Sequence, residues 1–251
     1  MNIKAAIRYQ RNDYIKTVRN FYFIIVLIIV LFILAVEIGD DSSIKSLGGA
    51  EMSTLIFLFV VGLNSFRETF LMMLQNGVSR KTMFISTIVT ILSTSTLMAI
   101  VDRFLLVIGG LYSDLHENVI VTGMYDILYG KRSASMDAIP FNLEGVLIII
   151  GIYISAMAVG LFITTAYYRM NKVLKIVVSV GVPATVFVFL PVLDGAVFGG
   201  RMSRAFIKMM NFILGGTSGT PYNLLLSCII FTIVCFSLTW MLVRRAVEKI
   251  N

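Results

Sequence analysis

Apolar residues run without a charge through six stretches of this chain, and short polar stretches divide them. The uncharged core Asn20–Val36 has 17 residues, Met52–Phe66 has 15 and Thr82–Val101 has 20. Gly145–Tyr168, Ile176–Leu193 and Tyr222–Val243 complete the set. A helix needs about 20 predominantly apolar residues to cross the hydrocarbon core of a bilayer. Each run therefore predicts one spanning helix, the first from Phe21 to Ile38. The second reaches across only by continuing through Arg67 and Glu68, with the Arg67 guanidinium snorkelling to the interface. The expected fold is an all-α polytopic membrane protein, a single six-helix transmembrane domain over residues 21–251.

Charge gives the domain its orientation. Residues 1–20 carry Ile3, Ile7, Tyr14 and Val18 as an apolar stripe, with Lys4, Arg8, Arg11, Lys16 and Arg19 supplying the polar side. Such a segment reads as an amphipathic helix bedded in the headgroup region and drawn to anionic lipid, or as a simple positive anchor. Short loops rich in Lys and Arg stay in the cytoplasm. With six spans and both termini cytoplasmic, 14 of the 21 lysines and arginines fall inside, six fall in outer loops and Arg103 sits at a boundary. The first apolar run follows a charged stretch and lacks an Ala-x-Ala-type site, so no cleavable signal peptide is expected.

Composition agrees: 58% of residues are hydrophobic and 14% charged, against about 25% charged in soluble domains. The net charge of +7 gathers on no soluble face, which argues against nucleic acid as a partner. Cys228 and Cys235 lie seven residues apart on one helix, roughly 10 Å and beyond disulfide reach. His116 beside Glu117 lacks further ligands at metal-site spacing, so no metal is expected. No Gly-x-x-x-x-Gly-Lys-Ser/Thr, His-Glu-x-x-His or Gly-x-Ser-x-Gly sequence occurs, so neither a nucleotide cradle nor a hydrolase centre is expected. All 14 carboxylates can be assigned to loops or span ends. Proton-driven carriers place carboxylates deep in their spans, so this assignment points to an energy source outside the chain.

Within the spans, Ser86, Thr90 and Ser93 form a hydroxyl stripe that either packs against a neighbouring helix or lines a pathway. Asp102 and Arg103 fall where a helix from Lys81 meets the outer interface, about 30 Å away. Residues 104–141 read as an acidic external segment. Gly151/Ser155 and Ala156/Gly160 in the fourth span permit close helix approach. Pro183 and Pro191 bend the fifth, which suits a segment that lines a cavity or flexes. Residues 200–220 read as an external re-entrant or interfacial piece, because non-helical backbone at membrane depth needs cover from protein or water.

The stretch between the second and third spans carries the strongest functional signal. Gly77 can take a positive φ and reverse the chain, Ser79 can cap the next helix, and Arg80 and Lys81 mark the inner face. Phe66-Arg67-Glu68, a short apolar run, then Asn76-Gly77-Val78-Ser79-Arg80-Lys81 resembles the coupling-helix region of ABC-2 type exporter permeases. Within that family it looks most like the small six-helix permeases of peptide exporters, such as the phenol-soluble modulin exporters of Gram-positive bacteria. The resemblance implies a multi-pass subunit of a bacterial cell membrane, with an elbow helix over residues 1–20 and a cytosolic coupling element over 67–82. It implies docking to a separate ATPase through Glu68, Gln75, Asn76, Gly77, Val78, Ser79, Arg80 and Lys81. Glu68 alternatively pairs with Arg67 or Arg80. No catalytic residue is expected in this chain, and ATP and Mg belong to the partner. A second permease copy, the lipid bilayer and an amphipathic or antimicrobial-type peptide cargo are the other implied partners. A drug or lipid exporter permease remains an alternative, as does a non-transporting immunity or sensor protein.

Overall fold

The computed structural model describes residues 3–38, 45–116, 119–133, 137–215 and 220–244. Asp40, Asp41, Glu117, Arg245, Lys249 and the glycines of 216–219 lie outside those residues. Among the described residues six helical segments are long and apolar enough to cross a membrane, which makes this a multi-pass membrane protein.

The first, α1 (Ile3–Ile38), is one continuous helix of 36 residues without a break near residue 20. The basic segment and the first span are thus a single rod. Ala6, Gln10, Tyr14 and Val18 are its buried positions, spaced four apart along one face. The second span is split. Helix α2 (Ala50–Asn64) ends at Ser65, whose hydroxyl donates to Gly62 O at 2.7 Å, and α3 (Arg67–Gln75) restarts beyond Phe66. The expected continuation through Arg67 therefore occurs across a bend.

The third span extends well past its expected end. Helix α4 (Arg80–Leu115) runs for 36 residues, so Asp102 and Arg103 lie inside it. The apolar sequence Phe104–Leu111 resumes at once after this charged pair and sustains the helix. The external segment is likewise more ordered than a solvated loop. Strand β2 (Val119–Thr122) pairs in parallel with β1 (Lys45–Gly48), which joins the loop after α1 to the loop after α4. Helix α5 (Met124–Ser133) follows, kinked at Tyr129, and α6 (Ala138–Arg169) begins seven residues before the expected Gly145.

The fifth span joins α7 (Lys172–Ala184) to α8 (Leu190–Ala196) through a π-helical stretch, Thr185–Phe189. Pro183 and Pro191 flank that stretch, and a missing proline N–H forces local rearrangement of the ladder. Helix α9 (Arg201–Ile213) follows, and α10 (Tyr222–Arg244) is the sixth membrane-length helix.

Small residues set the closest contacts, as the sequence led us to expect. A Cβ on Gly160 would stand 2.5 Å from Phe59 O, and one on Gly62 would stand 2.6 Å from Met157 O. These two glycines let α2 and α6 touch backbone to backbone. Ser155 ties α6 to α10 by bonding to Cys228 O at 3.2 Å and sharing a 3.0 Å hydrogen bond with the Thr232 hydroxyl. Helices α2, α4 and α10 pack around α6, and α1 packs against α4. The fifth span stands apart, and Asp194 is its only buried residue.

Candidate functional site

The hairpin between the second and third spans is built locally. At the end of α3, Gly77 takes φ 68° and its N–H donates to Leu74 O at 2.9 Å. The Val78 N–H donates to Met73 O, also at 2.9 Å, which completes a Schellman turn. Val78 is buried behind that turn. Ser79 then caps α4: its hydroxyl oxygen accepts the Thr82 N–H at 3.1 Å. Phe70 and Met73 hold the hairpin down. The Phe70 ring stacks on Phe66 with centroids 4.9 Å apart, and Tyr168 of α6 meets both rings edge-on at 5.5 Å. Arg80 reaches sideways, donating from Nη1 to Arg244 O at 2.9 Å.

What the hairpin presents follows from what it buries. Glu68, Gln75, Asn76, Gly77, Ser79 and Lys81 are exposed, while Arg80 is half-buried. Among the described residues, Glu68 makes no ion pair with Arg67 or Arg80. A rigid turn with an aromatic anchor and a polar, partly cationic tip is suited to contact with another protein.

Other residues of interest lie away from this hairpin. Lys4, Arg8, Arg11, Lys16 and Arg19 are all exposed along the α1 rod. Ser86 and Thr90 are buried, and each hydroxyl donates to the backbone of its own helix, to Met83 O and Ser86 O. Gln10 of α1 sits against this stripe, donating to the Thr87 hydroxyl at 3.0 Å and accepting from Thr90 at 3.3 Å. Ser93 and Pro183 are exposed on the surface of the single chain.

A second constellation, which the uncharged-run pattern did not reveal, closes the end of the bundle away from the hairpin. Glu51, Asp102, Arg103 and Glu144 are buried to 1%, 3%, 6% and 6% exposure. Asp102 accepts from Tyr22 of α1 at 2.7 Å and from Tyr153 of α6 at 2.5 Å. Arg103 pairs with Asp126 of α5 at 2.9 Å, donates from Nε to Asn142 Oδ1 at 2.9 Å, and lies over the Tyr125 and Phe141 rings. Glu144 takes Arg132 at 3.0 Å and the Tyr125 hydroxyl at 2.8 Å. Burial, reinforced by the Glu144 carboxylate, raises the Tyr125 hydroxyl above its ordinary range, so it stays a donor. Glu51 accepts the Met124 N–H through Oε2, while its Oε1 has no partner.

These carboxylates correct the assignment of all acidic residues to loops or span ends, since Asp102 lies within α4. They nevertheless lie far along their helices from the hairpin end. Asp102 lies 22 residues beyond Arg80, about 33 Å along the helix. Glu144 lies 25 residues from Arg169, about 38 Å. The cluster lies at the end of the bundle away from the hairpin, and apart from Glu51 Oε1 its charged groups are paired. The signal that could have found it is the apolar run on both sides of Asp102-Arg103.

Asp194 has a similar capping role near the start of α9. It accepts the backbone N–H groups of Met202 and Ser203, both at 2.8 Å, and so fastens α9 to the fifth span. Among the described residues no group of three or more His, Cys, Asp or Glu side chains is placed to hold a metal ion. Compared with models of protein families, with curated proteins and with solved structures, the chain matches none.

Proposed function

We propose that this chain is the membrane subunit of an ATP-driven exporter of the ABC-2 type, with amphipathic or antimicrobial-type peptides as cargo. The observation that carries this reading is the rigid inner hairpin, whose exposed Glu68, Gln75–Gly77, Ser79 and Lys81 offer a polar tip on an aromatic anchor. A separate cytosolic ATPase grips that tip, because the chain has no phosphate-binding loop of its own. Closure of two ATPases on each other pulls the hairpin. The Phe66–Phe70–Tyr168 cluster passes the displacement to α6, and the Arg80–Arg244 hydrogen bond passes it to α10. A second permease copy packs in the membrane, where the weakly packed fifth span offers a long apolar surface. The cytoplasmic termini, a bacterial cell membrane and an interfacial course for α9 belong to the same proposal.

The test is reconstitution with the ATPase that purifies with the chain. Arg80→Glu combined with Gly77→Val leaves ATP hydrolysis running while peptide export falls at least tenfold. Wild-type coupling in that double variant contradicts the reading.

A further inference from the structure

We propose that the inner face carries a binding site for one anionic phospholipid headgroup, placed between the hairpin and the start of the fifth span. A recess of about 450 Å³ opens there, and its walls include Arg67 of α3 and Lys172 and Lys175 of α7. The three cations converge from two elements that otherwise barely touch. Among the described residues none of the three makes an ion pair. Opposite charge is therefore missing from a site built with three positive groups.

Two further features suit a phosphate diester. Helix α7 has 13 residues and starts at Lys172 beside the recess, and Asn171 provides no side-chain cap, so the positive end of the helix adds to the attraction for an anion. The rest of the wall is amphipathic, with Leu71, Thr164, Tyr167 and Tyr168. Tyr168 is held by Phe66 and Phe70, and Tyr167 shares a 2.9 Å hydrogen bond with Ser179, which fixes the far wall. The level is that of inner-leaflet headgroups, because Arg67, Arg169 and Lys172 mark the inner ends of the spans. Basic pockets between spans on the cytoplasmic face take acidic lipid headgroups.

The consequence is mechanical. The fifth span has little protein packing, so a lipid phosphate bridging Arg67 to Lys172 and Lys175 clips it to the hairpin. The site rests on the inward orientation of this face and not on the ATPase.

The experiment uses the full chain in mixed micelles with equimolar phosphatidylglycerol and phosphatidylcholine, with retained lipid counted by native mass spectrometry. The wild type retains phosphatidylglycerol with roughly tenfold preference, and Arg67→Gln/Lys172→Gln/Lys175→Gln abolishes the preference. Arg201→Gln/Lys208→Gln, which removes exposed charge on α9 and away from the recess, keeps it. In phosphatidylcholine alone the triple variant melts like the wild type. If it does not fold, single Lys172→Gln and Lys175→Gln variants lower the preference stepwise. Undiminished preference in the triple or single variants overturns the proposal, as does equal thermal protection by inorganic phosphate. A triple variant that keeps its lipid preference but loses an ATPase partner shows that the cations meet an acidic protein surface, which also overturns it. A wild type that purifies without any ATPase yet prefers phosphatidylglycerol supports the site while contradicting the exporter reading.

Discussion

The two ends of the bundle are held by opposite means. At the outer end, Asp102 and Arg103 of one helix draw in α1, α5 and α6 through charges buried at 3% and 6% exposure. At the hairpin end, a nine-residue helix and a glycine turn make most of their polar bonds locally and leave Glu68 and Lys81 exposed. A buried pair gives little net stability when intact, yet breaking it on one side is costly. The outer end is thus a lock whose parts depend on one another. The inner end is a presented surface, which tolerates change in stability terms and is sensitive in contact terms.

That contrast can be broken most directly at Arg103. Arg103→Leu leaves Asp126 and Asn142 without their partner and should cost about 3 kcal/mol, the low end for a severed buried pair because Asp126 keeps some water. Denaturant titration in micelles reads this loss. Arg103→Leu/Asp126→Leu should recover at least half of it, since an apolar pair replaces an ionic one. No recovery would mean that the ring contacts to Tyr125 and Phe141, not the ion pair, hold α4 to α5.

Inner-end changes should cost less. Gly77→Val places a β-branched side chain at φ 68° and should destabilise by about 1–2 kcal/mol. Hydrogen exchange should show the opening confined to residues 73–80. Ser79→Ala removes the cap on α4 and should cost about 1 kcal/mol. Arg80→Glu, at the bottom of the scale, should shift stability by no more than about 0.5 kcal/mol and yet abolish coupled export. A large melting shift in that variant would erase the distinction between lock and surface.

The same contrast explains how much was legible. The inner hairpin could be read because its determinants are neighbours: Gly77, Ser79 and the Arg80-Lys81 pair act within a few residues of one another. The small-residue contacts at Gly151, Ser155 and Gly160 were readable from spacing on one helix. The outer network was not, because Arg103 finds Asp126 and Asn142, 23 and 39 residues away, and Asp102 finds Tyr22 and Tyr153 across 80 and 51. A rule that ends a span at its first charge stopped at Val101, while a buried, paired charge lets the helix continue to Leu115. The basic segment before the first span carried a helical pattern. The sequence did not show that the helix would run straight on into the membrane, with Gln10 rather than Ile3 facing α4.

The central claim is that a second polypeptide holds the hairpin from the cytosol. A photo-crosslinker at Asn76, activated in intact cells, tests it most directly. The account predicts a crosslink to a soluble nucleotide-binding subunit and no labelling of Asn76→Cys by a membrane-impermeant maleimide added outside. External labelling of that cysteine, or crosslinks to lipid alone, would contradict it.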